Sequence, residues 1–402
     1  MKTRHEGVNE RETIHSCVPH TNTNKQRMEN NLRIIISGGG TGGHIFPAVA
    51  IANALKAKRP DVQILFVGAL GRMEMQRVPA AGYDIKGLPI CGFNRKNLLK
   101  NFAVLFKIWK SQRMAKQIIK QFKPMAAVGV GGYASGPTLN QCAAMGIPCL
   151  IQEQNSYAGV TNKLLSKKAR KICVAYDGME RFFPKDKIVL TGNPVRQQLL
   201  DSQLTKAEAL RAFGLEPTKK TILIVGGSLG ARTLNESVMA HLDELRNSGV
   251  QVIWQTGKKY FEGIKAELAD KSPLPTLKPT DFIADMGAAY RAADLVISRA
   301  GASSISEFCL IGKPVILVPS PNVAEDHQTK NAMALVNRQA ARFVSDAEAT
   351  QKLIPLALQT VNDDQTLSQL SHNIKQMALR NSAEIIADEV IALAEEQAAK
   401  TR

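Results

Sequence analysis

Two glycine-rich segments most constrain what this 402-residue chain can fold into. Each follows a run of apolar, largely β-branched residues and leads into a helical pattern: LRIIISGGGTGGH at residues 32–44 and TILIVGGSLGAR at residues 221–232. A buried strand that turns directly into a helix presents backbone N–H groups and the positive end of the helix dipole, and both favour phosphate binding. Two such turns predict two nucleotide-binding-type halves that face a cleft.

The length and the alternation of elements predict two doubly wound parallel sheets. A chain of 402 residues is too long for one ordinary core, so two domains are expected. Strand-like runs alternate with helical patterns such as residues 47–58 and 136–145, and the series restarts after TGNP at residues 191–194. Such alternation indicates parallel strands with helices on both faces of each sheet. The predicted strands are residues 34–37, 64–67, 126–130, 149–151, 172–174, 222–225, 252–255, 281–283, 295–298 and 315–318.

The ends of the chain and the middle boundary complete this organisation. Residues 1–31 are polar, non-periodic and poor in apolar side chains, which predicts a disordered extension. The boundary between the halves is expected near residues 194–204. The amphipathic pattern at residues 382–399 predicts a last helix that either closes the second half or packs back on the first.

Positive charge is concentrated in one segment of the first half. The formal net charge is +17, to which residues 1–31 add little, with five Lys or Arg against four Glu. Residues 91–124 hold nine Lys or Arg and no acidic residue, with aromatic residues between them. This profile favours a helix on an anionic membrane; alternatively, the apolar residues form the buried face of an ordinary helix. No nucleic-acid-binding module is recognisable, so nucleic acid is not an expected partner.

Cysteine usage and hydropathy bear on the compartment. The six cysteines form no C-x-x-C pair, which is typical of a reducing compartment. No apolar run is long enough to cross a membrane, and the first residues lack the apolar core of a signal peptide, so secretion is not expected.

The first glycine-rich turn, residues 38–43, has glycine at five of its six positions. It satisfies G-x-G-x-x-G, and Asp61 follows, which keeps an NAD-dependent two-domain oxidoreductase open. The excess of glycine and a helix start containing His44 and Pro47 favour instead a ligand pressed against the backbone, or a merely tight turn. A second turn, residues 129–136, predicts a further patch of phosphate-binding N–H groups beside the first, or turn chemistry alone.

Two titratable side chains near these turns are candidates for a general base. His44 ionises near neutral pH, and Glu153 follows the strand predicted at residues 149–151, where polar side chains face the cleft. The alternative for Glu153 is a solvated carboxylate. Asn155 is placed either to bind a sugar hydroxyl or to cap the next helix.

The second half offers its own candidates for nucleotide binding. Ser228, in the glycine-rich turn, can give an O–H and an N–H to a phosphate. The small-residue turn after the strand at residues 295–298 leads to Glu307, which is placed to bind a ribose diol or to act as a capping carboxylate. A long polar loop at residues 319–328 contains Asp326, His327 and Gln328.

Six motifs in order resemble the MurG family, part of glycosyltransferase family 28, over residues 32–400. They are GGGTGGH at residues 38–44, GVGGYASGP at 129–137, EQN at 153–155, TGNPVR at 191–196, GGSLGAR at 226–232 and SRAGASSISE at 298–307. The resemblance implies the α/β GT-B fold, in which two Rossmann-like doubly wound parallel-sheet domains face a cleft. It implies an acceptor and membrane-side domain at residues 32–195 and a UDP-GlcNAc domain at residues 196–381; whether the last helix packs back on the first of these stays open.

The family's reaction and site residues carry over by position. The implied reaction is an inverting transfer of GlcNAc from UDP-GlcNAc to the C4 hydroxyl of the MurNAc of lipid I, which forms lipid II in peptidoglycan synthesis. His44 and Glu153 are the catalytic candidates. The resemblance implies that UDP-GlcNAc is bound by Thr41, Gly42, Gly43, Asn155, Arg196, Ser228, Ile283, Ala302, Ser303, Ser304, Ile305, Ser306, Glu307 and Gln328. It implies that the acceptor diphosphate is bound by Gly40, Gly131, Gly132, Tyr133 and Ser135. The residues expected at the membrane are Phe93, Leu99, Lys100, Phe102, Phe106, Lys107, Trp109 and Lys110.

The resemblance also bears on cofactors and partners. No Asp-x-Asp occurs, so activity is expected without a tightly bound metal and with no cofactor. The expected partners are UDP-GlcNAc, lipid I, an anionic membrane surface at the cytoplasmic face of the inner membrane, and cell-wall assembly proteins. Three alternatives stay open: a GT-B transferase with a different acceptor, the NAD-dependent oxidoreductase, and a basic scaffold that binds membrane or nucleic acid.

Overall fold

The computed structural model describes residues 31–91, 101–195, 203–227, 229–323 and 326–401. The extension expected at residues 1–31 lies outside this range apart from Asn31. Two parallel sheets, each with helices on both faces, make up the described part of the chain. We call them the first half, β1–β7, and the second half, β8–β13.

The first half alternates strands and helices in the predicted manner. Its elements are β1 (Arg33–Ser37), α1 (Gly42–Lys58), β2 (Gln63–Ala69), α2 (Glu74–Ala80), β3 (Asp84–Leu88), α3 (Asn101–Phe122), β4 (Ala126–Gly129), α4 (Ser135–Ala144), β5 (Cys149–Glu153), α5 (Val160–Leu165), β6 (Lys171–Val174) and β7 (Ile188–Leu190). All neighbouring strands pair in parallel, in the order β3-β2-β1-β4-β5-β6-β7.

The second half repeats the plan and ends in a long helix. Its elements are α6 (Lys206–Ala212), β8 (Thr221–Val225), α7 (Arg232–Ala240), α8 (Leu242–Asn247), β9 (Gln251–Gln255), α9 (Phe261–Ala269), β10 (Leu277–Thr280), α10 (Met286–Ala292), β11 (Leu295–Ser298), α11 (Ala302–Ile311), β12 (Val315–Leu317), α12 (His327–Val336), β13 (Arg342–Phe343), α13 (Ala349–Val361), α14 (Asp364–Gln376) and α15 (Ser382–Thr401). The strand order is β10-β9-β8-β11-β12-β13, again all parallel. The predicted fold class is confirmed.

Each sheet is buried on both faces because successive residues of its central strands are apolar and point alternately to the two faces. In β1, Ile34 and Ile36 enter one core layer and Ile35 enters the other. In β8, Ile222 and Ile224 face one layer and Leu223 the opposite one. Period-2 side-chain direction with apolar residues at every position is the signature of a strand covered on both sides.

The last helix, α15, packs on the first half although it follows the second in sequence. Ile386, Val390 and Leu393 are buried in the same core layer as Ile34. Ion pairs at the rim support this contact: Lys58 Nζ lies 2.8 Å from Asp388, and Arg59 Nη1 lies 2.9 Å from Glu395. The chain therefore crosses between the halves twice, after β7 and before α15.

The strand predicted at residues 281–283 is wrong. β10 ends at Thr280, and Ile283 lies in the loop beyond it, where its N–H donates to Gln255 Oε1 at 2.9 Å. Pro279 interrupts the apolar pattern of β10, which is tolerated because β10 is an edge strand. Most other predicted strands also differ at an end by one or two residues; for example, β2 continues through Ala69, β5 continues through Glu153, and β4 ends at Gly129.

Candidate active site

The two glycine-rich turns of the first half meet backbone to backbone. One joins β1 to α1 and the other joins β4 to α4, and β1 and β4 are neighbouring strands. A Cβ atom on Gly132, whose φ is +84°, would lie 2.4 Å from the Gly39 carbonyl oxygen. Packing therefore explains the glycine at position 132. At Gly40, also at positive φ, an added Cβ would meet nothing within 4 Å, so there is space beside this residue, while its N–H donates to Glu74 Oε2 at 2.8 Å.

His44 lies in the first turn of α1, against the second glycine-rich turn. Its Nδ1 is 3.0 Å from the Gly39 carbonyl and 3.3 Å from Thr41 Oγ1. A carbonyl oxygen only accepts, so Nδ1 carries the proton of the neutral ring and Nε2 is left as a proton acceptor. A Cβ on Gly131 would lie 2.9 Å from Nε2, so this nitrogen faces the second turn.

Burial sets the protonation of His44. Desolvation lowers its pKa from the ordinary value of 6.5, while the Glu153 carboxylate, the Gly39 carbonyl and the Glu74 carboxylate raise it and His327 opposes them. Because the net direction is downward, the neutral ring predominates at pH 7. His44 is thus in the form that a general base requires.

Glu153 is buried, so the solvated alternative is wrong: the residue is 2% exposed. Its Oε1 accepts from the Asn155 N–H at 3.1 Å, and its Oε2 accepts from the Gly159 N–H at 3.0 Å and from Asn162 Nδ2 at 2.9 Å. These donors hold the loop between β5 and α5 around the carboxylate. Glu153 is therefore a fixed anion near His44 that organises a loop, and His44 is the better candidate for the base.

The residues expected at the acceptor diphosphate differ in what their side chains do. Gly131 and Gly132 have positive φ and shape the second turn. Ser135 is fully buried, and its Oγ lies 2.6 Å from the Ser37 carbonyl and 2.9 Å from the Gly131 carbonyl, so this hydroxyl braces the turn. Tyr133, at 48% exposure, stands at the rim.

A hydrogen-bonded contact joins the two halves beside this turn. Asn331 of α12 is fully buried, and its Nδ2 donates to Asn155 Oδ1 at 3.1 Å. Its Oδ1 accepts from the Ser156 N–H at 2.9 Å. Nearby, Asn193 Nδ2 donates to Ser306 Oγ at 3.1 Å. Asn155 is thus held at the meeting point of the halves; it does not cap α5, whose N-cap is Gly159.

The predicted nucleotide segment of the second half, residues 302–307, forms the first turns of α11. Gly301 is the N-cap of this helix and no side chain caps it, so the capping alternative for Glu307 is wrong. Glu307 is 5% exposed, and its Oε2 accepts from the Tyr290 hydroxyl at 3.1 Å. Among the described residues, Ser303 Oγ is a buried hydroxyl with no hydrogen-bond partner. The start of α11 thus presents N–H groups and an unsatisfied hydroxyl, as a phosphate site does.

Two other residues predicted to bind UDP-GlcNAc already have hydrogen-bond partners within the protein. The Ile283 N–H donates to Gln255 Oε1, so a uracil ring that accepted from this N–H would have to displace the Gln255 side chain. Gln328 Oε1 accepts from the Ser320 N–H at 2.8 Å, which ties α12 to the polar loop before it. Arg196 and Ser228 lie outside the described residues.

The glycine-rich turn of the second half, residues 226–230, is also packed against backbone. A Cβ on Gly230 would lie 2.1 Å from the Thr256 carbonyl oxygen, and one on Gly257 would lie 2.3 Å from the Gly230 nitrogen. The turn after β8 and the end of β9 therefore interlock. Close backbone packing accounts for Gly230, as it does for Gly132.

Helix α3 separates its apolar residues into two faces. Val104, Ala115 and Ile119 are buried, whereas Phe106 and Trp109 are 63% and 54% exposed. The two exposed rings stack with centroids 5.8 Å apart. Leu105, Lys107, Lys110, Arg113, Lys116 and Lys120 of this helix are also exposed, and Arg113 sits 4.8 Å from the Trp109 ring. The core-face alternative thus holds for some residues but not for these aromatic rings. Phe93, Leu99, Lys100 and the Phe102 side chain lie outside the described set.

Asp61 does not support the hypothesis that the first glycine-rich turn binds NAD. It precedes β2 and pairs with Arg59 at 3.4 Å, at the amino end of the strand. An acid that binds the ribose of NAD must lie at the carboxyl end, beside the glycine-rich turn.

The cleft between the two halves contains a cavity. A cavity of about 550 Å³ between the halves is lined by Ser156, Asn193 and Ser306, so it adjoins the Asn155–Asn331 contact.

Within the described ranges, no group of three or more His, Cys, Asp or Glu is arranged to hold a metal ion. No helix in the part of the chain that the structure describes is long and apolar enough to cross a membrane.

Three residues of this site escaped sequence reasoning. Glu74 holds the first glycine-rich turn, and Asn331 and Asn193 join the halves. Asn193 lies within the TGNPVR motif, which was a usable signal. Glu74 and Asn331 carry none in a single sequence, because their partners are distant along the chain.

Comparison with known proteins identifies the family. Residues 34–174 match the glycosyltransferase family 28 N-terminal domain, and residues 221–386 match its C-terminal domain. The UDP-N-acetylglucosamine--N-acetylmuramyl-(pentapeptide) pyrophosphoryl-undecaprenol N-acetylglucosamine transferase of Phocaeicola vulgatus is 69% identical over 368 residues, covering 92% of this chain and 98% of the relative. The protein of the same name from Cytophaga hutchinsonii is 57% identical over 89% of this chain and 96% of its own length.

Solved structures agree on the fold. The crystal structure of Acinetobacter baumannii MurG superposes with a TM-score of 0.73 at 31% identity, over 90% of this chain and 99% of that one. The calicheamicin glycosyltransferase CalG4 superposes with a TM-score of 0.66 at 12% identity, over 91% of this chain and 99% of that one, and shows the fold alone.

Proposed function

We propose, from the premise that the chain belongs to glycosyltransferase family 28, that it transfers GlcNAc from UDP-GlcNAc to the MurNAc of lipid I and forms lipid II. The relatives with high identity carry the name of this activity. One observation carries the proposal. The first glycine-rich turn and His44 lie on one side of the cleft, and the start of α11 and Glu307 lie on the other. Family membership also overturns the NAD-dependent oxidoreductase.

The reaction assigns each half a task. Residues 32–195, with α15, bind the acceptor, and residues 196–381 bind the donor. The C4 hydroxyl oxygen of MurNAc attacks C1 of the GlcNAc, the bond from C1 to the β-phosphate oxygen breaks, and its electron pair leaves with UDP. Nε2 of His44 takes the hydroxyl proton. The N–H groups at the start of α11, with Arg196 and Ser228, stabilise the charge that develops on UDP.

Donor binding is tested first by thermal stabilisation. A ligand that binds only the folded state raises the free energy of unfolding by about 2.7 kcal/mol at 100 times its Kd. UDP-GlcNAc is expected to raise Tm, whereas UDP-Glc, UDP-GalNAc and NAD have a much smaller effect. Glu307→Gln, which removes the carboxylate proposed for the ribose diol, is expected to reduce this shift.

The control for donor binding is Glu267→Gln, an exposed position on α9, which should keep the full shift. Equal stabilisation by NAD and UDP-GlcNAc would contradict the donor assignment. Transfer itself is tested by mass spectrometry of a lipid I analogue after incubation with UDP-GlcNAc, where a gain of one GlcNAc with release of UDP is expected.

We also propose that the exposed face of α3 attaches the enzyme to an anionic membrane, on the cytoplasmic side where UDP-GlcNAc is made available. The stacked Phe106 and Trp109 rings supply apolar contact, and the cations around them supply attraction. Cell-wall assembly proteins are further expected partners at that surface.

Membrane binding is expected to depend on both kinds of residue. Trp109→Ser and the double variant Lys110→Gln/Arg113→Gln should each weaken flotation with vesicles that contain phosphatidylglycerol, the double variant by roughly tenfold or more at low salt. Ile385→Ser changes an exposed apolar residue of α15 and is the control. Unchanged flotation of both α3 variants would remove the basis for this surface.

A further inference from the structure

A buried carboxylate, Glu74, lies beneath the first glycine-rich turn. It is the first residue of α2 and is 1% exposed. Its Oε2 accepts from the Gly40 N–H at 2.8 Å and its Oε1 accepts from the Ala69 N–H at 2.9 Å. One side chain therefore ties the turn after β1 to the last residue of β2. A buried charge is costly unless hydrogen bonds satisfy it, so such a residue fixes whatever it binds.

The backbone around Glu74 is shaped to admit it. A Cβ on Gly39 would lie 2.2 Å from the Glu74 carboxyl carbon, and one on Gly68 would lie 2.6 Å from its Cγ. Glycine at both positions leaves room for the carboxylate and for nothing larger. The fit makes the position of Glu74 and the path of the first turn interdependent.

Through this turn Glu74 reaches the candidate base. The Gly39 carbonyl accepts from His44 Nδ1 at 3.0 Å, and the same carbonyl is the point where Gly132 of the second turn approaches most closely. The carboxylate thus fixes Gly39 and Gly40, and these fix both the imidazole and the second turn. No direct contact between Glu74 and substrate is needed.

We propose that Glu74 is a positioning residue for the transfer reaction: its carboxylate holds the Gly39–Gly40 backbone so that His44 Nε2 faces the acceptor hydroxyl. This inference rests on the proposed function. A misplacement of about 1 Å can lower turnover by about 100-fold, so the effect should fall mainly on kcat, because most of the residues expected to hold UDP-GlcNAc lie in the second half.

The charge of Glu74 adds an independent signature. Among the groups that face His44, the carboxylates of Glu153 and Glu74 raise its pKa, while burial and His327 lower it. Removing the charge of Glu74 should therefore lower the pKa of His44 further. A variant that keeps the charge, such as Glu74→Asp, should leave this titration unchanged, so the two variants separate the charge of Glu74 from its role in holding the turn.

The test is Glu74→Gln. The amide keeps the shape but offers one acceptor and places an NH₂ against a backbone N–H. We expect kcat to fall about tenfold or more, KM for UDP-GlcNAc to stay nearly unchanged, and the His44 titration, followed by NMR of ¹⁵N-histidine-labelled protein, to move to lower pH. Asp84→Asn removes the same charge at the amino end of β3, where the residue is exposed. This control variant should change neither kcat nor the His44 titration.

Glu74→Asp keeps the inference testable if the amide variant does not fold. It retains the charge but is one methylene too short to reach both N–H groups, so kcat should fall while the His44 titration stays near that of the parent. Parent-like kcat in either folded variant, or an unshifted His44 titration in Glu74→Gln, would overturn the proposal. Inactivity of the parent enzyme toward lipid I would instead contradict the proposed function.

Discussion

Replacing His44 by Ala is expected to lower kcat by about 10²- to 10⁴-fold, the range of general-base catalysis, with little change in KM for UDP-GlcNAc. Burial lowers the pKa of His44, so the active neutral ring is lost only as the pH falls below the ordinary value of 6.5. The parent enzyme should therefore show an acid limb in kcat/KM below pH 6.5. In His44→Ala this limb should disappear, as measured by pH–rate profiles of transfer to a lipid I analogue.

The matched variant for this experiment is Glu153→Gln. The Glu153 carboxylate accepts from the Gly159 N–H and from Asn162 Nδ2, so its replacement should lower both stability and kcat through the loop. The acid limb should persist in this variant, at lower pH because a charge that raises the His44 pKa is removed. An acid limb that survives in His44→Ala and vanishes in Glu153→Gln would reverse the assignment of the base.

Replacing Gly132 by Ala is expected to lower kcat by about 100-fold and also to lower Tm. The new Cβ would meet the Gly39 carbonyl oxygen at 2.4 Å and the Gly39 nitrogen at 3.0 Å. These are backbone atoms, so relief requires the two glycine-rich turns to separate. Because Gly39 also accepts from His44, the base moves with them. Steady-state kinetics and thermal unfolding of the same preparation measure both effects.

Gly146→Ala isolates the contribution of backbone conformation. Gly146 has φ +77°, close to that of Gly132, but a Cβ there would meet nothing within 4 Å. It lies between α4 and β5, near the amino ends of the strands and away from the glycine-rich turns. Both variants share the cost of a left-handed residue, about 1–2 kcal/mol. Only Gly132→Ala should lose turnover, and equal loss in the two variants would argue against the interlocked turns.

The fold could be predicted from sequence wherever a strand is covered on both faces. β1 and β8 are continuous apolar runs with a glycine-rich end, and both were found. The strands missed or misplaced are β3, β7, β10 and β13, and all four are edge strands. Edge strands are half-exposed or short, as the alternating exposure of β3 illustrates, and they depend on a neighbour for their pairing, so local periodicity does not reveal them.

The site residues also fall into those that local sequence predicts and those that it does not. The glycine-rich turns and the start of α11 are local motifs, and their residues were predictable from spacing. The Asn155–Asn331 contact spans 176 positions of the chain, and the bond from Gly40 to Glu74 spans 34. Such contacts exist only after folding, so neither Asn331 nor Glu74 stands out from any other polar residue in the sequence.

The placement of α15 on the first half has a consequence for biosynthesis. The core layer beneath β1 contains Ile386, Val390 and Leu393, which leave the ribosome only after the whole second half has been translated. At about 5–20 residues per second, the nascent first half waits on the order of 10–40 s with this apolar layer uncovered. The first half therefore matures last although it is made first, and its exposed layer during translation is the surface that a chaperone would need to shield.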